Sequence, residues 1–85
     1  MSVDKNTIET KVIAIIAEQL SIDKTAISCD TLFARDLAAD SLDIIEWVLD
    51  CEAAFDIRIP DVDIEKLKTV GEVVDYITMI IRSKD

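Results

Sequence analysis

Few side chains in this sequence can do chemistry, and their spacing narrows what that chemistry is. Ser41 stands among acids in Asp40-Ser41-Leu42-Asp43, and the chain has no histidine. A Ser-His pair therefore cannot form, and the usual general base near neutral pH is missing. This argues against hydrolase chemistry, and no enzyme activity is expected. A serine without a base is better suited to being modified than to attacking. Asp40 and Ser41 are both residue types that cap the open N–H groups of a helix's first turn. A phosphate on Ser41 would then sit beside a helix N-terminus, where an anion is favoured. Asp40 offers a modifying enzyme a charged handle.

The remaining candidates are weaker. Cys29 and Cys51 have no metal-ligand spacing, and two thiols do not make a disulfide framework. Cys51 reads as a small core residue, and Cys29 as an exposed residue of a polar loop. Asp61, Asp63 and Glu65 alternate as in a calcium loop, with Glu72 at its twelfth position. Lys66 fills the sixth, where that loop needs glycine. A solvated acidic turn is expected there, and no metal site.

The element that must present Ser41 is a helix from Asp40 or Ser41 to Phe55, uninterrupted by Gly or Pro. At about 100° per residue it has two apolar faces. Ile44, Val48, Cys51 and Phe55 fall together, with Trp47 at their edge. Leu42, Ile45, Leu49 and Ala53 fall opposite. Asp43, Glu46 and Asp50 line one flank and Glu52 the other. A small domain needs one such face for its core. A second apolar strip edged by acids suggests a surface that meets partners; the alternative is a central helix buried on both sides.

Other helices must hold this one. Ile8, Val12, Ile15, Ile16 and Leu20 recur at helical spacing. They predict a helix from about Asp4 or Asn6 to Leu20, with Asn6 and Glu9 as a capping box and Glu9, Lys11 and Glu18 on its solvated side. Ser21 to Ala39 is a long connection, pinned by Ile22, Ile27, Leu32, Phe33 and Leu37, with a helical turn near Leu32 to Arg35. Asp56 to Pro60 is extended, because Pro60 disfavours a helical residue before it. Asp61 to Leu67 holds only a short helix. Thr69 and Glu72 form a capping box opening a last helix, whose apolar face carries Val70, Val73, Val74, Ile77, Ile80 and Ile81. Arg82 and Lys84 lie at its end, and Gly71 is a mild cost within its first turn. The fold expected is all-α: a small bundle of three longer helices and one short helix, with a long first loop.

Composition agrees. The 85 residues include one Gly and one Pro, and 51% are hydrophobic. That suits one domain, 1–85, near the lower size limit for unaided folding, and is too apolar for a disordered acidic tail. The net charge of −9 argues against nucleic acid and anionic membranes and for basic protein surfaces. No apolar run approaches a membrane span. Met1-Ser2-Val3-Asp4-Lys5 lacks the apolar core of a signal peptide, so a cytoplasmic location is expected.

The stretch Phe33-Ala34-Arg35-Asp36-Leu37-Ala38-Ala39-Asp40-Ser41-Leu42-Asp43 resembles the signature of acyl carrier proteins. The likeness extends through Glu46, Phe55-Asp56, Ile59-Pro60, Thr69-Val70 and Asp75-Tyr76-Ile77, almost the whole chain. It implies a free-standing carrier, a monomer, in which Ser41 receives 4′-phosphopantetheine from coenzyme A. The arm's terminal thiol, not Cys29 or Cys51, then carries acyl groups as thioesters. The implied partners are a phosphopantetheinyl transferase and acyl-synthase and acyltransferase enzymes with basic docking patches. Asp40, Leu42, Asp43, Ile45, Glu46 and Leu49 fall where the family's partner-facing residues lie. Phe33, Ile44, Trp47, Val48 and Cys51 fall near its acyl pocket.

The chain departs from the family pattern at named positions. Ala38 stands where glycine is usual, which bears on a backbone turn. Trp47 and Cys51 replace aliphatic residues, which bears on pocket shape. Ala53 and Ala54 stand where acids are frequent, which removes part of the docking charge. Asp40-Ser41-Leu42 favours an acyl carrier over peptidyl or alanyl carriers. Fatty acid synthesis is the expected pathway. A polyketide or specialised lipid pathway is the near alternative, and a structural interaction subunit with the carrier fold is another.

Overall fold

Apolar residues at helical spacing become three long helices. The computed structural model describes residues 4–84, without the side chain of Lys84, so residues 1–3, over which the signal-peptide reading began, lie outside it. The helices are α1 (Lys5–Leu20), α2 (Phe33–Asp36), α3 (Ser41–Phe55), α4 (Asp61–Ile64) and α5 (Val70–Lys84), with a 3-10 turn at Lys24–Ala26. The bundle is therefore the one expected, with α2 realising the turn foreseen near Leu32. Among the described residues no helix is long and apolar enough to cross a membrane.

The core sits where α1 packs against both α3 and α5. Ile8, Val12 and Ile16 of α1, Trp47, Val48 and Cys51 of α3, and Val70, Val73, Val74 and Ile77 of α5 are all buried in it. Trp47 lies fully inside rather than at the edge of the core face. Its ring meets that of Phe33 with centroids 4.8 Å apart, tilted by 49°. The helical projection of α3 could not show that α2 supplies an aromatic partner. This packing leaves the indole N–H without a hydrogen-bond partner among the described residues.

The caps differ in part from expectation. Asp4, not Asn6, caps α1, its carboxylate accepting from the Asn6 N–H. Glu9 instead accepts a hydrogen bond from the Cys29 thiol, and both residues are half-buried. The Thr69–Glu72 capping box is present: the Glu72 N–H reaches Thr69 Oγ1 at 3.1 Å and the Thr69 N–H reaches Glu72 Oε1 at 3.1 Å.

The first loop is clasped to the start of α5 by backbone. The Phe33 N–H donates to Lys68 O at 3.1 Å, Val70 N–H to Thr31 O at 3.1 Å, and Gly71 N–H to Cys29 O at 2.9 Å. A Cβ at Gly71 would lie 3.0 Å from that same Cys29 oxygen. Glycine is there because the loop comes too close for a side chain, a reason that outweighs its helix cost. Ile27 and Phe33 are buried and pin the loop as expected, but Ile22 is exposed. Beyond α3, Ile57 and Ile59 are buried, and Glu52 accepts from the Ile59 N–H at 2.7 Å. That carboxylate fastens the extended segment to α3.

Candidate functional site

The site begins in the turn that delivers the chain into α3. Asp36 accepts from the Leu32 N–H at 2.8 Å and from Arg35 Nε at 3.2 Å. These bonds, the backbone one first, hold its carboxyl below the usual carboxylate range. The Ala39 N–H returns to Phe33 O at 3.0 Å. Ala38 takes a left-handed conformation, φ 50°. The turn that glycine would make is thus retained with alanine, at some cost in backbone strain.

This turn settles which residue caps α3. Asp40 is the N-cap, accepting from the Asp43 N–H at 3.0 Å, while Asp43 accepts from the Asp40 N–H at 3.3 Å. The two acids close a reciprocal capping box. Ser41 therefore occupies the first helical position, exposed. Among the described residues its hydroxyl makes no hydrogen bond. It needs to break nothing in order to be esterified.

Beside Ser41 lies a cleft of about 830 Å³ between α3 and the α4 region. Its size suits a small ligand. Phe33, Ile44, Ile45, Ile64 and Leu67 give it apolar walls, and Arg35, Lys68, Asp61 and Glu65 add charge. Phe33 and Ile44, both read as pocket residues, line it with Ser41. Trp47, Val48 and Cys51 are buried in the core instead, Trp47 standing behind Phe33. Val48 also borders a neighbouring groove with Leu49, Ile57 and Pro60. Ile64 and Leu67 were not singled out from the sequence. Their signal was an apolar pair three apart in the charged stretch Asp61 to Leu67, Ile64 ending α4 and Leu67 following it.

The second face of α3 is open. Leu42 is 63% exposed, Ile45 42% and Leu49 57%. Asp40, Glu46 and Asp50 are exposed around them, and Asp43 is half-buried in the capping box. Asp50 also accepts a hydrogen bond from Gln19 of α1. The charge near this strip is acidic, so a basic surface is what it would attract.

The thiols offer no competing chemistry. The hydrogen bond to Glu9 pushes the Cys29 thiol up to about 11, and burial pushes Cys51 up to about 12. Both are thiols rather than thiolates near neutral pH, and the thiolate is the nucleophile. Cys29 is half-buried rather than exposed as expected.

Comparison with known proteins adds to this geometry. Residues 10–77 match the family described as "Phosphopantetheine attachment site". The chain is 45% identical over 75 residues to a protein named acyl carrier protein from Akkermansia muciniphila, covering 88% of this chain and 94% of the relative. It is 52% identical over 67 residues to another of that name from Clostridium acetobutylicum, covering 79% of this chain and 87% of the relative.

Proposed function

From the premise that this chain belongs to the phosphopantetheine-attachment family of acyl carrier proteins, we propose that Ser41 bears its prosthetic arm and that the chain, as one domain, serves fatty acid biosynthesis. An acyl carrier is not an enzyme; its group, 4′-phosphopantetheine, is held covalently and supplies the thiol that forms thioesters. The observation that carries the assignment to Ser41 is its position: exposed, first in α3, unbonded through its hydroxyl and at the lip of the cleft.

On this reading the residues divide the work. Asp40 and Asp43 fix the helix start that presents Ser41. Phe33 and Ile44, with Ile64 opposite, receive the acyl chain in the cleft. Trp47, Val48 and Cys51 form the packed floor behind them. Leu42, Ile45 and Leu49 give a partner apolar area, worth at most about 25 cal/mol per Å² removed from water. Glu46, with Asp40 and Asp43, steers basic surfaces of a phosphopantetheinyl transferase and of acyl-handling enzymes, an effect that salt screens. The protein acts as a monomer in the cytoplasm. Asp40-Ser41-Leu42 supports an acyl carrier over a peptidyl or alanyl one; within acyl carriers, specialised lipid or polyketide supply is the second reading.

Incubation with coenzyme A and a phosphopantetheinyl transferase should add the mass of one arm, and Ser41→Ala should abolish it. An unchanged wild-type mass across several transferases would favour a structural subunit instead. Glu46→Lys should then slow association with the transferase at low salt more than Asp30→Lys, an equal charge change at an exposed loop residue. Equal slowing by both across a salt series would remove the docking role of α3.

A further inference from the structure

We propose that the hydrogen bond between Tyr76 and Asp63 is a latch that sets how far α4 can swing from α3, and so how long an acyl chain the cleft accepts. This rests on the carrier reading above and adds a pair of specificity-determining residues to it. The argument starts from α4, which has four residues, Asp61–Ile64. A single turn has little stability of its own, because nucleating a helix is unfavourable. Its N-cap is Pro60, which makes no side-chain cap bond, and none of its residues is fully buried. Its backbone bonds are local: Asp63 and Ile64 N–H to Pro60 O, and Glu65 N–H to Asp61 O.

One side chain ties this turn to a distant element. The Tyr76 hydroxyl donates to Asp63 Oδ2 at 2.5 Å. Among the described residues it is the only side-chain hydrogen bond linking α4 to another helix. The two ends of the bond are unlike. Tyr76 belongs to α5, where Val73, Val74 and Ile77 are each 0% exposed. It is a fixed post. Asp63 belongs to the weakly held turn, next to Ile64, whose side chain walls the cleft. In a one-turn helix Asp63 cannot move away without carrying Ile64 with it. Widening the cleft by a movement that takes this wall away from α5 as well as α3 lengthens or breaks the Tyr76–Asp63 bond. The same bond holds the phenol proton, pushing the tyrosine up to about 12, so the donor stays intact near neutral pH.

The test uses the full chain. Without an arm, Tyr76→Phe should speed amide exchange over residues 61–67 by about tenfold, a local opening, and leave residues 73–77 nearly unchanged. With the arm loaded by saturated acyl groups of increasing length, the wild-type melting temperature should rise and then level off. Tyr76→Phe and Asp63→Ala should each move that plateau to longer chains, and the double variant should move it no further. Asp63→Asn keeps an acceptor oxygen and should keep the wild-type plateau. Variants that lower the melting temperature uniformly, with the plateau at its wild-type length, overturn the latch. So does faster exchange spread evenly over α4 and α5. A wild-type melting temperature indifferent to chain length overturns the acyl-cleft reading as well, and so separates the two failures.

Discussion

The clasp between the first loop and α5 and the cleft between α3 and α4 are built by different means. At the clasp, three backbone hydrogen bonds join Cys29, Thr31 and Phe33 to Lys68, Val70 and Gly71, over a core shared with α1. At the cleft, a four-residue turn is tied to its distant neighbour by one phenol, and α3 shows an apolar strip to solvent. Buried residues at the clasp are fixed by both packing and main chain. Residues at the cleft are left room to separate and a surface to be covered. Stability and adaptability are thus assigned to different elements that meet at Phe33 and Lys68, which belong to the clasp and also line the cleft.

The sharpest way to break this comparison is to truncate one residue on each side. Ile77→Ala should lower unfolding free energy by about 2–5 kcal/mol, as for other buried large-to-small changes. Leu49→Ala, removing exposed apolar surface, should stay within about 0.5 kcal/mol of wild type. Comparable losses in urea melts would mean that the open strip is structural. A smaller effect is expected at the close approach in the clasp. Alanine is the better helix former at Gly71 by about 1 kcal/mol. Its Cβ, however, would meet the Cys29 carbonyl at 3.0 Å and Cys29 Cβ at 3.3 Å. Gly71→Ala should therefore be a net loss of about 1–3 kcal/mol, and a gain in the same urea series would mean that the loop yields freely. The smallest effect, and of opposite sign, belongs to the turn before Ser41. Ala38→Gly relieves left-handed strain of about 1–2 kcal/mol and adds unfolded-state entropy worth about 0.4–1. A net gain of about 0.5–1 kcal/mol should appear as a higher melting temperature. A loss would show that Ala38 is comfortable where it stands.

The local signals in this sequence were legible because they act within one turn of chain. Asp40-Ser41, Thr69 with Glu72, and the apolar spacings of α1 and α5 each announce an element without reference to any other. What could not be read depends on contacts across the fold. Gly71 looked like a cost because its reason, the Cys29 carbonyl, lies in a different segment. Glu9 looked solvated because its partner, Cys29, comes from that loop. The Asn6–Glu9 pattern imitated a capping box, yet Asp4 stood two residues earlier and took the role. Trp47 was placed at an edge by the projection of α3 alone, without Phe33 to cover it. At the site, Ser41 and the open strip were readable on a single helix. The far wall, Ile64 and Leu67, was not, since a cleft needs two sides.

The capping box before Ser41 has a consequence in time as well as in space. Asp40 and Asp43 hold the start of α3 with atoms that the proposed arm does not use. A serine that both capped the helix and bore the arm would compromise the first role whenever it took up the second. Here the two duties fall to neighbours. Bare, primed and loaded forms can share one scaffold, and the chain can pass through many rounds of cargo without remaking the helix that presents it.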